Sequence, residues 1–296
     1  MTSPIRALDS DIINSLLRIA PEREQELLNL KNEYEPTVLF FKEKGFSFSV
    51  DLIDNQIKLP TQSLEYLWCS SYLFYLIYRK YTECQQANEL DQFDLMGDVE
   101  LRSGMDLYNW SLDNLNLSDG IEWPNDLPRP AANRLQASEY ESIADELFLC
   151  AIGWLLHHEL AHISHQHPIK TNTLEESRAH ETQADNSATT WILGNEDRPE
   201  QLLKRGMGIA VATLVLTTQD LLRGQFKETT HPRSFERLFS ALDENFKDAD
   251  HAVYSFSTII LQVHMALANH NIDLSEDIPW KELFEKCIIQ LPRIKA

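Results

Sequence analysis

The chain has 296 residues, 43% of them hydrophobic, enough to bury a substantial core in one compact unit. Its formal net charge of −20 argues against a nucleic-acid-binding surface, because phosphate backbones recruit lysine and arginine rather than a strongly acidic body. The N-terminal stretch carries Asp9 and Asp11 and no long apolar run, so it does not read as a secretory signal, and four cysteines without CxxC spacing fit free thiols in a reducing cytoplasm.

Residues 1 to 34 predict one or two helices, with Pro21 starting the second and Pro36 ending it. The period then changes. Val38 to Phe41, Phe46 to Ile53 and Gln56 to Leu59 are strand-like: Phe46, Phe48, Val50 and Leu52 alternate with polar residues, and Lys44-Gly45 and Asp54-Asn55 offer turns. These segments predict a small antiparallel sheet whose edge strand could lie beside a cleft and pair with an extended substrate. From Thr61 to about Asn88 the aromatic residues recur at helical spacing and read as core. A weaker helix is expected over Asp98 to Leu117, and the proline-rich segment from Ser118 to Ala137 reads as a loop.

The following stretch, Ser138 to His167, organises the chain. Ser138 with Glu141 forms a capping box, Ile143, Leu147, Ala151, Trp154, Leu155 and Ile163 make an apolar stripe, and Pro168 stops the run. Within it, His158-Glu159-Leu160-Ala161-His162 places two imidazoles four residues apart, where both can reach one metal ion. Glu159 lands beside that ion rather than on it, where a carboxylate can take a proton from an activated water. HExxH occurs by chance in roughly 2% of chains this long, so the context must decide between a metal pair and two core histidines satisfied by carbonyl groups.

Thr173 and Glu176 open another helix, which runs to Leu193 and stops at Gly194. On it Glu181 and Asp185 share a face: Glu181 can supply a third ligand from a second direction, and Asp185 can orient a ligating histidine through its other nitrogen. A rival ligand set, His158, His162 and His165, can be drawn along the first helix, although three side chains rising on one helix are poorly placed to surround an ion tetrahedrally. His157 and His180 also adjoin the proposed site. Gln201 to Gly224 is a largely apolar helix, with Gly206 and Gly208 suited to close packing. Pro232 suits the first helical position and would put His231 at the cap, where a neutral imidazole could donate to an oxyanion. Helices near Asp250 to Ala268 and Pro279 to Leu291 close the chain.

With HHELAH at 157 to 162, ETQAD at 181 to 185 and THPRSFERL at 230 to 238, the chain resembles the gluzincin pattern. It is similar over nearly its whole length to the Lit-type phage-exclusion peptidases, through SPI at 3 to 5, APE at 20 to 22, SLEY at 63 to 66, FDLMG at 93 to 97, LFLCAI at 147 to 152, WILGN at 191 to 195 and THP at 230 to 232. The helical spacing and the alternating segments together predict a mainly α (α+β) fold, a helical zincin-like domain with a small N-terminal antiparallel β-sheet, as one unit over 1–296. Its parts would be an N-terminal part to residue 137, metal-site helices to 245 and C-terminal helices thereafter. The resemblance implies a bacterial cytoplasmic zinc endopeptidase with one Zn2+ per chain, latent until a phage capsid peptide activates it, which cleaves elongation factor Tu and aborts infection. Neither nucleic acid nor membrane is an expected partner. Carried over by residue, His158, His162 and Glu181 would be ligands, Glu159 the base and His231 a transition-state donor. The rival class is a catalytically silent sensor that keeps the metal as a staple. A glutamate at 159 weighs against it, since a structural zinc site has no use for a base.

Overall fold

The computed structural model describes residues 3–90, 93–131, 137–194, 196–226, 229–270 and 278–293. Two helices, α1 (Asp9–Arg18) and α2 (Glu24–Tyr34), lead into a sheet of β1 (Thr37–Phe41), β2 (Ser49–Asp51) and β3 (Gln56–Pro60). Then follow α3 (Thr61–Ala87), α4 (Val99–Leu115), α5 (Glu139–Ser164), α6 (Leu174–Leu193), α7 (Pro199–Leu222), α8 (Ser234–Asp243), α9 (Ala252–Leu267) and α10 (Trp280–Gln290). The fold is mainly α with a minor β part. Of the expected loop at Ser118 to Ala137, residues 132–136 lie outside the described residues.

The sheet corrects the expectation of three antiparallel strands. Its order is β1-β3-β2, with β3 antiparallel to β2 but parallel to β1. The cause lies in residues 42–48, which expend their donors elsewhere. Glu43 N–H donates to Gln62 Oε1, Gly45 N–H to the Leu115 carbonyl at 2.7 Å, and Ser47 N–H to Ser63 Oγ. Gly45 turns the chain at φ 94°, a left-handed conformation that a side chain disfavours. Phe46 packs edge-on against Tyr66 and Phe48. Held against α3 and α4, this segment cannot extend β2, and the chain returns as β3 between the two earlier strands.

The stripe predicted on α5 understates its burial. From Ala144 to Ile163 nearly every face is covered, with Glu146 exposed and Leu149 half-buried. Among the described residues α5 is the one helix long and apolar enough to cross a membrane, and it lies instead in the middle of the core. It packs most extensively on α7, and also on α6, α3 and α1. The approach to α7 is set by Gly208, where an added Cβ would overlap Cys150 Cβ and stand 3.0 Å from its carbonyl carbon. Ala184 and Ala188, both fully buried, allow α6 to lie close on its other side. The four cysteines are free thiols.

Candidate metal centre

Local signals position the site. Ser138 and Glu141 close both halves of the capping box on α5, at 3.2 and 2.9 Å. Thr173 caps α6 through Glu176 N–H, while the Glu176 carboxylate reaches back to Asn172 N–H. With α5 and α6 packed together, His158 Nε2 and His162 Nε2 lie 3.2 Å apart. Glu181 Oε2 stands 3.4 Å from the first of these nitrogens, and Glu181 Oε1 stands 3.6 Å from the second. These three residues form the group able to hold a metal ion among the described residues.

The spacing fits zinc. Zn–N and Zn–O bonds near 2.0–2.2 Å in a tetrahedron put neighbouring donors about 3.3–3.5 Å apart, close to the separation of the two imidazole nitrogens and to the distance from each of them to its nearer Glu181 oxygen, the two histidines facing different oxygens of that carboxylate. Burial and charge fit too. Burial alone would lower the His158 pKa, but the Asp185 and Glu181 carboxylates outweigh it and hold it at about 9. Burial and the charge on His158 push His162 down to about 3. Glu181 falls to about 2 because its histidine neighbours overcome the opposing effect of burial.

Glu159 is 6% exposed on the same helix, and burial lifts its carboxyl to about 7, against the pull of His158. Asp185 Oδ1 lies 2.9 Å from His158 Nδ1. Behind it, Arg237 donates twice to Asp185, from Nε and Nη2, both at 2.7 Å. Against the effect of burial, Arg237 and His158 keep Asp185 far below the usual carboxylate range. The Trp154 ring lies beneath both His158 and the Arg237 guanidinium, its Nε1 donating to Thr189 Oγ1 at 2.9 Å.

His231 reaches the centre, but not from a helix cap. The N-cap of α8 is Arg233, whose N–H is met by Glu236, so Pro232 and His231 precede the helix. Pro232 suits a lead-in as well as a first helical turn, and here Thr229 to His231 form a bend ahead of the helix. His231 Nε2 lies 3.3 Å from Glu181 Oε2, and Nδ1 lies 3.0 Å from Thr230 Oγ1. His165 leaves the site. It is the C-cap of α5, and its ring meets Ser187 Oγ and Gln183.

Two contributors were not singled out from the sequence. Arg237 sits within THPRSFERL, where nothing in the local pattern distinguishes it from a solvated helix arginine. His167 closed the histidine-rich stretch, and its Nδ1 lies 2.8 Å from His162 Nδ1.

A family model described as Peptidase U49 matches residues 57–257. The cell death peptidase of Escherichia coli (strain K12) is 36% identical over 280 residues, covering 93% of each chain. No solved structure matches.

Proposed function

The chain belongs to the Peptidase U49 family, and from that premise we propose that it is a zinc-dependent endopeptidase built on His158, His162 and Glu181. The observation that carries this reading is the convergence of two imidazole Nε2 atoms and the Glu181 carboxylate, each pair 3.2–3.6 Å apart, next to a buried Glu159. When bound, zinc supplies Lewis acidity, bringing the pKa of water toward 7 and polarising a peptide carbonyl.

The chain's own residues do the rest. Asp185, anchored by Arg237, orients the His158 ring so that Nε2 faces the metal position. The Glu159 carboxyl, poised near neutrality by burial, takes the proton of the attacking water and returns it to the leaving amine. His231 Nε2 stands 3.3 Å from Glu181 Oε2 at the edge of the metal position; in the tautomer in which the Thr230 hydroxyl donates to Nδ1, the ring proton is on Nε2 and can be offered to the oxygen on which negative charge develops.

Through the resemblance to Lit-type peptidases, we extend the proposal to elongation factor Tu as substrate, to a phage capsid peptide as activator and to action in the bacterial cytoplasm. The test is cleavage of purified elongation factor Tu by the zinc-loaded protein, with and without that peptide, followed by mass spectrometry. Glu159→Gln should keep stoichiometric zinc and lose all cleavage. Loss of metal in that variant would make Glu159 a ligand; zinc binding without any cut by the wild type would favour a sensor. Equal rates with and without peptide would refute latency.

A further inference from the structure

The outward nitrogen of His162 is met by the chain that follows its own helix. At the end of α5, Gln166 turns left-handed at φ 54°, Gln166 N–H donates to the Ile163 carbonyl at 2.9 Å and His167 N–H to the His162 carbonyl at 3.0 Å. This is a Schellman reversal with a glutamine where glycine is usual. It folds the His167 ring back onto His162, and His180 stacks on its far face at 4.3 Å. His167 Nε2 lies 3.0 Å from Gln183 Oε1, while Gln183 Nε2 reaches His165 Nδ1 at 3.4 Å.

A 2.8 Å contact between two ring nitrogens needs one proton between them, so each neutral ring dictates the other's tautomer. Two arrangements are self-consistent. In the first, Gln183 presents its carbonyl to His167, His167 is protonated on Nε2 and accepts at Nδ1, and His162 is protonated on Nδ1. Its Nε2 lone pair then faces His158 Nε2, 3.2 Å away, and Glu181 Oε1 at 3.6 Å. In the second, the amide is reversed, every proton shifts along, and His162 carries its proton on Nε2, directed at an unprotonated His158 Nε2 3.2 Å away and closed to a cation. Asp185 leaves His158 no such choice, because a carboxylate only accepts.

We propose that His167 and Gln183 are positioning residues that select the metal-competent tautomer of His162, the orientation of the Gln183 amide deciding between the two states. The proposal rests on the zinc-site reading above. Unlike the buried Asp185–Arg237 pair on His158, it assigns the second histidine a neutral and reversible support.

The test uses full-length protein labelled with 15N-histidine, and its first readout needs no metal. In the metal-free wild type, the His162 ring should be protonated on Nδ1. Gln183→Leu, at an exposed position, and His167→Phe should give mixed tautomers and a zinc affinity 10- to 100-fold weaker in chelator competition, roughly the usual range for partners of ligating histidines. His167→Asn, whose Oδ1 takes the place of Nδ1 as acceptor, should restore both. A His162 protonated on Nε2 in the metal-free wild type overturns the proposal. So does a His167→Phe protein with tautomer and zinc affinity unchanged. A wild type that bound no zinc would instead defeat the reading of the site, while the tautomer measurement still decides the role of His167.

Discussion

Replacing Arg237 with methionine keeps most of the side-chain volume and deletes the guanidinium that meets Asp185. The two side chains are 9% and 11% exposed and share two hydrogen bonds of 2.7 Å. Removing one partner of a buried ion pair leaves the other charge uncompensated, at a cost of about 3–5 kcal/mol. The lower end applies here, because His158 remains beside Asp185 as a second cationic partner. At an unfolding entropy of about 2.1 cal/mol/K per residue, 3 kcal/mol corresponds to a fall of about 5 °C in Tm for a chain of this length. Asp185 also gains affinity for its own proton and holds the His158 ring less firmly, so zinc affinity should drop by about 10- to 100-fold. Both effects should shrink in Arg237→Met/Asp185→Asn, which removes the two charges together. The assays are thermal denaturation of the metal-free protein and zinc competition with a chelator. A stability change under 1 kcal/mol with unaltered zinc affinity would mean that the pair is solvated and does not brace the site.

Other perturbations separate the remaining assignments. Glu181→Ala should lose most zinc affinity and His165→Ala little, as read by metal content after dialysis; the opposite pattern would remove Glu181 from the site. Gly208→Ala forces a methyl into the Cys150 backbone, so α5 and α7 must part, at a cost of about 1–3 kcal/mol in chemical denaturation; an unchanged midpoint would contradict the close approach. His264 is fully buried, donating from Nδ1 to the Ile260 carbonyl at 2.8 Å, and burial lowers its pKa to about 4. Its neutral form contributes fully above the unfolded value near 6.5, and that contribution, about 3 kcal/mol, is lost as pH falls toward 4. His264→Leu should therefore flatten the acid limb of the stability profile, and an identical slope in both proteins would show that His264 does not titrate on unfolding.

Periodicity and caps delimited the helices well because both are local. The Ser138–Glu141 box, Thr173 and Gly194 act within one turn of chain, and α5 and α6 begin where those residues place them. The likeness of His158, His162, Glu181 and Asp185 to a metal centre was legible for the same reason, since each pair sits four apart on one helix. What escaped was non-local. The left-handed turn at Gln166 that redirects His167 is made by a residue with no special preference for it, so Pro168 looked like the stop. Arg237 acquires its role from the packing of α8 beside α6, which no spacing within THPRSFERL reveals. The parallel pairing of β1 with β3 was missed because the alternation at Phe46 and Phe48 reflects aromatic packing, of Phe46 on Tyr66 and of Phe48 on Phe46, and not a strand.

The burial of α5 on all sides also constrains how the protein can be made. Its apolar surface is synthesised well before α7, whose far end lies about 60 residues downstream, roughly 3–12 s later at ribosomal rates of 5–20 residues/s. Until α6 and then α7 emerge, a helix as greasy as a membrane span is covered by α1, α2, α3 and the sheet, on one part of its circumference. The nascent chain therefore presents a target for chaperones at the very segment that bears His158 and His162. Arg237, needed to neutralise Asp185, emerges later still, so metal-binding competence should be among the last properties the growing chain acquires.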